Sequence, residues 1–301
     1  MQANVWQFEQ AGAALVQDVR EFSEPEAGRI VVRNYAIGIN PVDWKKGHIP
    51  GVDGAGVVVA VGEGVDNCLL GRRVAYHHSL GENGSFADHS EVYASRVMVV
   101  PESVDFALAA ALPCPMLTAW QALSKVPVRK GADVLVSGMG AVNKLLAQML
   151  SQAGFNVHVI SGSFSQEQAG EMGVKAIHRG KPEGQSFYAL FDANGPDYAA
   201  SLVPLLEANG HVVSILGRIE VPVDAPFTRT ISYHEIALGA LHDYGDLPQW
   251  QRLVKDGEAL LEQVAAQSLV VEIPNLFEFD NLNKALQFSK EDKRKAVVTV
   301  S

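Results

Sequence analysis

Apolar residues recur in two different rhythms along the chain. Up to residue 100 they come in short runs rich in β-branched and aromatic side chains: 30–37 (IVVRNYAI), 57–61 (VVVAV), 72–77 (RRVAYH), 86–93 (FADHSEVY) and 97–100. Glycines punctuate these runs, and short strands parted by turn residues predict a small barrel or sandwich. After Lys130 the rhythm changes. Apolar strands at 132–138, 156–161, 175–178, 187–194, 211–217 and 235–241 alternate with helical stretches at 144–154, 166–172 and 198–207. The link at 179–186 is too short for a helix. Alternating βα units predict an α/β fold with a mostly parallel, doubly wound sheet of six strands. The tail departs from this pattern. A helix is expected at 247–266, with strand and helix pieces at 269–273, around Phe288 and at 296–300, but no further βα unit. It is therefore expected to pack back on the N-terminal β region.

Between Asp105 and Lys125 lie 19 uncharged residues, enough to raise the question of a membrane span. Pro113 and Pro115 interrupt them, and Thr118, Gln121 and Ser124 follow, so the stretch reads as a buried helix, a break and a second helix. The length of 301 residues suggests two domains at ~150 residues each. Acidic residues outnumber basic ones by 34 to 24, a formal charge of −10. That balance argues against nucleic acid or an anionic membrane as partner, since both need a basic footprint. Two cysteines, Cys68 and Cys114, cannot make a disulfide framework or a four-cysteine zinc site. The first residues carry neither a basic start nor an apolar core, so a cytoplasmic location is expected.

The strand at 132–138 runs into Gly138-Met139-Gly140-Ala141-Val142-Asn143 and then a helix. The first glycine permits a tight turn, the second lets the backbone approach a pyrophosphate, and the helix start supplies free N–H groups. Asn143 stands where the usual fingerprint has its third glycine. The other reading is a glycine turn with an Asn cap and no ligand. The second strand ends in Ser161-Gly162-Ser163, and Glu167 is the first acid after it. With no carboxylate to repel a 2′-phosphate, NADP(H) is preferred and NAD(H) remains open. Ser161, Ser163 and Arg179 are candidate partners for that phosphate, although Arg179 reads equally as a surface charge. Lys144 offers a cation beside the turn or is a solvated helix residue.

The segments YAIGINPVDWKKG (35–47), PGVDGAGVVVAVGEGV (50–65), ALPCPMLTAWQAL (111–123), the glycine turn and GALHDYGD (239–246) occur in this order. Together they resemble the medium-chain dehydrogenase/reductase superfamily, and specifically its zinc-free quinone oxidoreductase branch. The resemblance implies a GroES-like catalytic domain (1–116 and 246–301) and a Rossmann dinucleotide-binding domain (117–245). It implies Thr118, Gly138, Gly140, Ala141, Val142, Asn143, Ser161, Ser163, Arg179, Asn194, Leu216, Gly217 and Leu241 as cofactor-binding positions. It also implies a homodimer, because the 235–241 strand lies at a dimer interface in that family. The segment 47–51 is shorter than the family pattern, which suggests an open pocket.

Zinc-dependent members carry a Cys where Asn40 stands and a His near Val52 and Asp53; only Cys114 falls at a ligand position. No zinc is therefore expected. His77 and His78 are read as one inward and one solvated histidine, Cys114 as a buried small hydrophobe, and KEDKRK (290–295) as a solvated turn. Without a metal, donors must meet the negative charge that develops when a quinone or an α,β-unsaturated carbonyl accepts hydride. The resemblance sets Asn40 and Asp43 beside the nicotinamide, Asn40 as amide donor and Asp43 as orienter or proton relay. Asn40-Pro41 is also a good turn, and Asp43 can cap a helix near Val42. Tyr76 and His48 are further proton sources. The expected activity is NADPH-dependent, metal-free reduction of a small quinone or enone. A cofactor-binding relative with little turnover, serving redox sensing or structure, is the alternative, and a zinc alcohol dehydrogenase the lesser one.

Overall fold

Residues 2–9, 13–21, 23–44 and 49–301 are described by a computed structural model. Two compact units divide the chain: Met1–Cys114 with Gly239–Ser301, and Pro115–Leu238.

The first unit is β-rich. Strands β1 (Gln2–Phe8) and β2 (Leu15–Glu21) form an antiparallel pair. A seven-stranded sheet is built from β3 (Arg29–Gly38), β4 (Asp53–Val61), β5 (Arg73–His77), β6 (His89–Tyr93) and β7 (Val97–Val99) together with β14 (Asn275–Glu278) and β15 (Ala296–Thr299). Its order is β14-β15-β3-β4-β5-β7, with β6 also on β3. Helix α1 (Phe106–Ala111) lies over β3 and β4, capped by the Asp105 carboxylate. Gly38 permits this seat, because a Cβ there would overlap the Ala110 carbonyl oxygen. The tail returns to this unit through α6 (Leu241–Tyr244), α7 (Leu247–Ala265) and α8 (Leu282–Asp292). Asp246 caps α7 in a capping box with Gln249.

The second unit opens with most of α2 (Pro113–Ser124) and continues as β8 (Asp133–Ser137), α3 (Ala141–Gln152), β9 (Asn156–Ile160), α4 (Gln166–Glu171), β10 (Val174–His178), β11 (Phe187–Asp192), α5 (Pro196–Leu202), β12 (Leu206–Ser214) and β13 (Ser232–Glu235). All strand pairs are parallel, in the order β10-β9-β8-β11-β12-β13. The fold is α/β, with a GroES-like β-rich region and a Rossmann-like sheet of six parallel strands. The order reverses between β8 and β11, which is where open α/β sheets receive ligands at the carboxyl ends of their strands.

Three expected elements are corrected. The sixth strand is 232–235 rather than 235–241. Ile236 and Leu238 are apolar because they are buried as the chain leaves the sheet, and a 3-10 turn and α6 follow. The helix expected at 198–207 is α5, which starts at Pro196 and gives way to a 3-10 turn holding Pro204. No strand forms at 269–273: Leu269 is buried, Ile273 is exposed, and pairing starts only after Pro274, while Phe288 lies in α8. Among the described residues no helix is long and apolar enough to cross a membrane.

Candidate active site

In the second unit, five neighbouring strand ends bring most of the expected cofactor positions into one row. Gly138 follows β8, Ser161 and Ser163 follow β9, Arg179 follows β10, Asn194 follows β11, and Leu216 and Gly217 follow β12. Gly138 has φ +82° and donates its N–H to the Ile160 carbonyl at 3.1 Å. Only glycine takes this conformation without cost. Gly140 is exposed at the cap of α3, no side chain caps that end, and nothing lies within 4 Å of where its Cβ would stand. The first amides of α3, from Ala141 to Asn143, have no intrahelical acceptor and are available to an anion.

Asn143 does not close this turn. Its side chain is fully buried and its amide donates to the carbonyls of Ser137 at 3.0 Å and Gly138 at 2.8 Å, beneath the exposed Gly140 and Ala141. It ties the helix start to the strand end. Asn194 bridges the reversal of strand order by donating from Nδ2 to Ser137 Oγ at 2.7 Å. Arg179 is exposed, and its guanidinium donates to the Ser161 carbonyl at 2.6 Å and the Phe164 carbonyl at 2.9 Å. These bonds hold a positive charge at the loop carrying Ser161 and the exposed Ser163. Leu216 is exposed, and Gly217 has φ +75°. Thr118 and Lys144 are half-buried, on α2 and α3. Leu241 belongs to the first unit, on α6, where its carbonyl accepts from Trp250 Nε1 at 3.1 Å. Sequence reasoning missed Asp192, which is buried at the end of β11 and accepts the N–H groups of Asn194 and Gly195. Burial pushes its carboxyl above the ordinary value.

In the first unit, Asn40 and Asp43 are both buried, beside and within the 3-10 turn Pro41–Trp44. The Asp43 carboxylate accepts the Asn40 N–H at 2.7 Å and the Val52 N–H at 3.1 Å. The amide N–H of Asn40, which sequence reasoning aims at an oxyanion, donates instead to Asp53 Oδ2 at 2.8 Å. Its Oδ1 accepts from Lys295 Nζ at 2.8 Å. Asp53 also accepts the Cys114 N–H at both oxygens, 2.9 and 3.1 Å, and lies 3.6 Å from Lys295 Nζ. Burial drives Asp43 up to about 7, with the neighbouring Asp53 charge adding to it, against the pull of the two N–H donors and Lys295. Burial likewise raises Asp53 to about 6, opposed first by Lys295.

Lys295 corrects the reading of 290–295 as a solvated turn. Residues 290–292 finish α8, Lys293 closes it at φ +54°, and the Lys295 side chain, 10% exposed, turns inward. Pairing of β15 with β3 sets this position, since Ile39 donates its N–H to the Ala296 carbonyl at 3.0 Å beside Asn40.

The paired histidines are also corrected. Both are buried, at 5% exposure, rather than one inward and one solvated. His78 meets the Glu91 carbonyl at 3.0 Å just past the end of β5, while His77 stacks on His242. Each has found a partner from another segment, which alternation along one strand cannot reveal. Cys114 is half-buried rather than buried. The Tyr76 hydroxyl donates to Asn34 Oδ1 at 2.8 Å deep in the β core, which removes it as a free proton source, and His48 lies outside the described residues. Among the described residues no group of three or more His, Cys, Asp or Glu side chains could hold a metal ion.

The Alcohol dehydrogenase GroES-like domain family matches residues 26–102. The chain is 30% identical to the probable quinone oxidoreductase of Schizosaccharomyces pombe over 230 residues, 68% of either chain. It belongs to the medium-chain dehydrogenase/reductase superfamily. Another member, the chloroplast envelope quinone oxidoreductase homolog of Arabidopsis thaliana, is 30% identical over 68% of this chain and 71% of its own length. For some other curated relatives the match is shorter. It spans about half the length of the alcohol dehydrogenase of Moraxella sp. (strain TAE123), 55% of that protein at 29% identity. In fold, the chain superimposes with a TM-score of 0.85 on an alcohol dehydrogenase superfamily protein from Novosphingobium aromaticivorans, at 24% identity, covering 99% of this chain and 100% of that one.

Proposed function

We propose that this superfamily member is an NADPH-dependent oxidoreductase that reduces quinones or α,β-unsaturated carbonyls without a metal ion. The observation that carries the metal-free part is the Lys295 ammonium, 2.8 Å from Asn40 Oδ1 and 3.6 Å from Asp53 Oδ2. In zinc-dependent members the positions of Asn40 and of Val52 or Asp53 carry a Cys and a His. Here they offer a carboxamide and a carboxylate whose oxygens are engaged by an internal cation. A catalytic zinc needs three protein ligands, and an ammonium among them would repel it. This donor set does not fit zinc.

The residues of the second unit fit a dinucleotide. Gly138, Gly140, Ala141 and Val142 offer backbone to a pyrophosphate, and Arg179, Ser161 and Ser163 offer a cation and hydroxyls to a 2′-phosphate. Asn194, Leu216 and Gly217 border the same row, and Asn143 braces the turn from below. Bound NADPH would supply hydride from its nicotinamide ring. Asn40 and Asp43 act as positioning residues in this reading. Asn40 holds Lys295 and Asp53 in place, and Asp43 secures the turn Pro41–Trp44 against Val52. Lys295 supplies a positive field for the charge that reduction leaves on the substrate oxygen. A homodimer is part of the reading, supported by β13 as an edge strand of the six-stranded sheet, the kind of strand that another chain can extend.

Steady-state absorbance at the NADPH band, with 1,4-benzoquinone and a short enone as acceptors, tests this reading. NADPH consumption by at least one acceptor is the expected result. A second reading, a cofactor-binding protein without turnover, draws on the internal commitment of the Asn40 amide. Tight NADPH binding with no consumption across acceptors would favour it.

A further inference from the structure

Asp192 ends β11 beside the point where the strand order reverses, and its neighbours across the sheet are Ser137 on β8 and Ser214 on β12. The residue is 1% exposed. Its Oδ2 accepts the N–H of Asn194 at 3.0 Å and of Gly195 at 2.9 Å, which fixes a turn whose Gly195 has φ +114°. That turn carries the Asn194 amide to Ser137 Oγ at 2.7 Å, and Asn194 Oδ1 to 3.0 Å from where a Cβ on Gly138 would stand. The Asp192 carbonyl accepts the Ile215 N–H at 2.8 Å, just before Leu216. One residue thus ties together three strand ends of the cofactor row. Its other oxygen is the anomaly. Oδ1 is buried and has no hydrogen-bond partner among the described residues. Holding two N–H groups needs only one oxygen, and an asparagine would do it without charge. A buried polar atom left without a partner calls for a reason.

We propose that Asp192 is a positioning residue for the dinucleotide, and that binding of the dinucleotide puts a proton on its Oδ1. The proposal rests on the dinucleotide reading above. An ionised Asp192 holds a negative charge beside the turn that receives the pyrophosphate, and the two anions repel. Protonation removes that charge and makes Oδ1 a donor toward Ser137 Oγ, which accepts from Asn194 Nδ2 and keeps a second lone pair. The proton comes from solvent, and no other bond changes. Burial already pushes the carboxyl up, against the Ser137 hydroxyl and the two N–H groups, and among the described residues no charged side chain offsets it. Asp197 and Tyr198 in α5 are exposed, while Asp133 on β8, Tyr188 on β11, and Glu207 and His211 on β12 lie further back along their strands. Affinity for the dinucleotide therefore rises as the pH falls.

Titration calorimetry of the intact chain with NADP+, from about pH 5.5 to about pH 8, tests this. Two unit charges within about 10 Å, at an effective dielectric constant of about 20, change affinity roughly tenfold. Asp192→Asn keeps an acceptor for the two N–H groups and mimics the protonated acid. It should match the unaltered protein at the acid end and bind about tenfold tighter at the alkaline end. The 2′-phosphate titrates alike in both proteins, so the difference between the two profiles belongs to Asp192. Asp192→Ala leaves both N–H groups unheld and should weaken binding about tenfold at every pH. Parallel profiles for Asp192→Asn and the unaltered protein, or full affinity in Asp192→Ala, overturn the proposal. The unaltered protein supplies a check free of variants, using ADP-ribose, which has no group titrating between about pH 5 and about pH 8. Repeated in buffers of different ionisation enthalpy, its binding should show net proton uptake, and none overturns the proposal. Absence of NADP+ binding at any pH defeats the dinucleotide reading instead.

Discussion

Asn40, Asp43 and Asp53 are buried and the Lys295 side chain is 10% exposed, and the four groups carry two acids and one cation between them. Both acids are held above the ordinary carboxyl value of 3.8, Asp43 at about 7 and Asp53 at about 6. A raised folded-state value means that the native chain keeps protons which the unfolded chain has released. Their contribution to stability is therefore full below about pH 4 and is lost as the pH rises through about 6 to 7. Asp43→Asn should flatten this slope in urea unfolding between pH 4.5 and 7.5. It should also cost about 1–3 kcal/mol, since an amide cannot accept from both Asn40 and Val52. An unchanged slope would remove Asp43 from the titrating set. Lys295→Met leaves Asp53 buried without its countercharge, and about 3–5 kcal/mol of stability should go with it. Asp53→Asn in the same chain should restore part of that loss, and simple additivity in the double-mutant cycle would mean that the two do not interact.

The elements explain which parts of this site can be read from sequence. Strand β8, the glycine turn and α3 are contiguous, so period, glycine spacing and helix start sit in one window. The row of strand ends follows, because alternating βα units admit few parallel orders. Lys295 was hidden, because only the pairing of β15 with β3 carries it to Asn40, 255 residues away. The contact of Arg96 with His242, and of His242 with His77, was hidden for the same reason, joining a 3-10 turn, α6 and β5. Apolarity alone misassigned 235–241 and 269–273, since it reports burial and not pairing. Arg179 is legible only in part: its charge is visible in sequence, its grip on the Ser161 and Phe164 carbonyls is not. Arg179→Ala should weaken NADPH binding about ten- to hundred-fold, the worth of a charged hydrogen bond, and leave NADH nearly unchanged in fluorescence titration. Equal losses for both dinucleotides would mean that it only braces the loop.

Over the whole molecule the formal charge is −10, so an anionic dinucleotide must be met by local devices and not by net attraction. In the proposed reading these are the α3 start and Arg179 of the second unit, while the first unit sets its cation, Lys295, against Asn40 and Asp53. The discontinuous first unit matters here, since its last segment brings both the closing strand and that cation. An ammonium built into the chain cannot be removed by a chelator, whereas a bound ion can. The most direct test is therefore NADPH oxidation with 1,4-benzoquinone on chelator-treated protein of measured metal content. Undiminished turnover with zinc far below one ion per chain is the expected result; turnover that disappears with chelation and returns with stoichiometric zinc would contradict it.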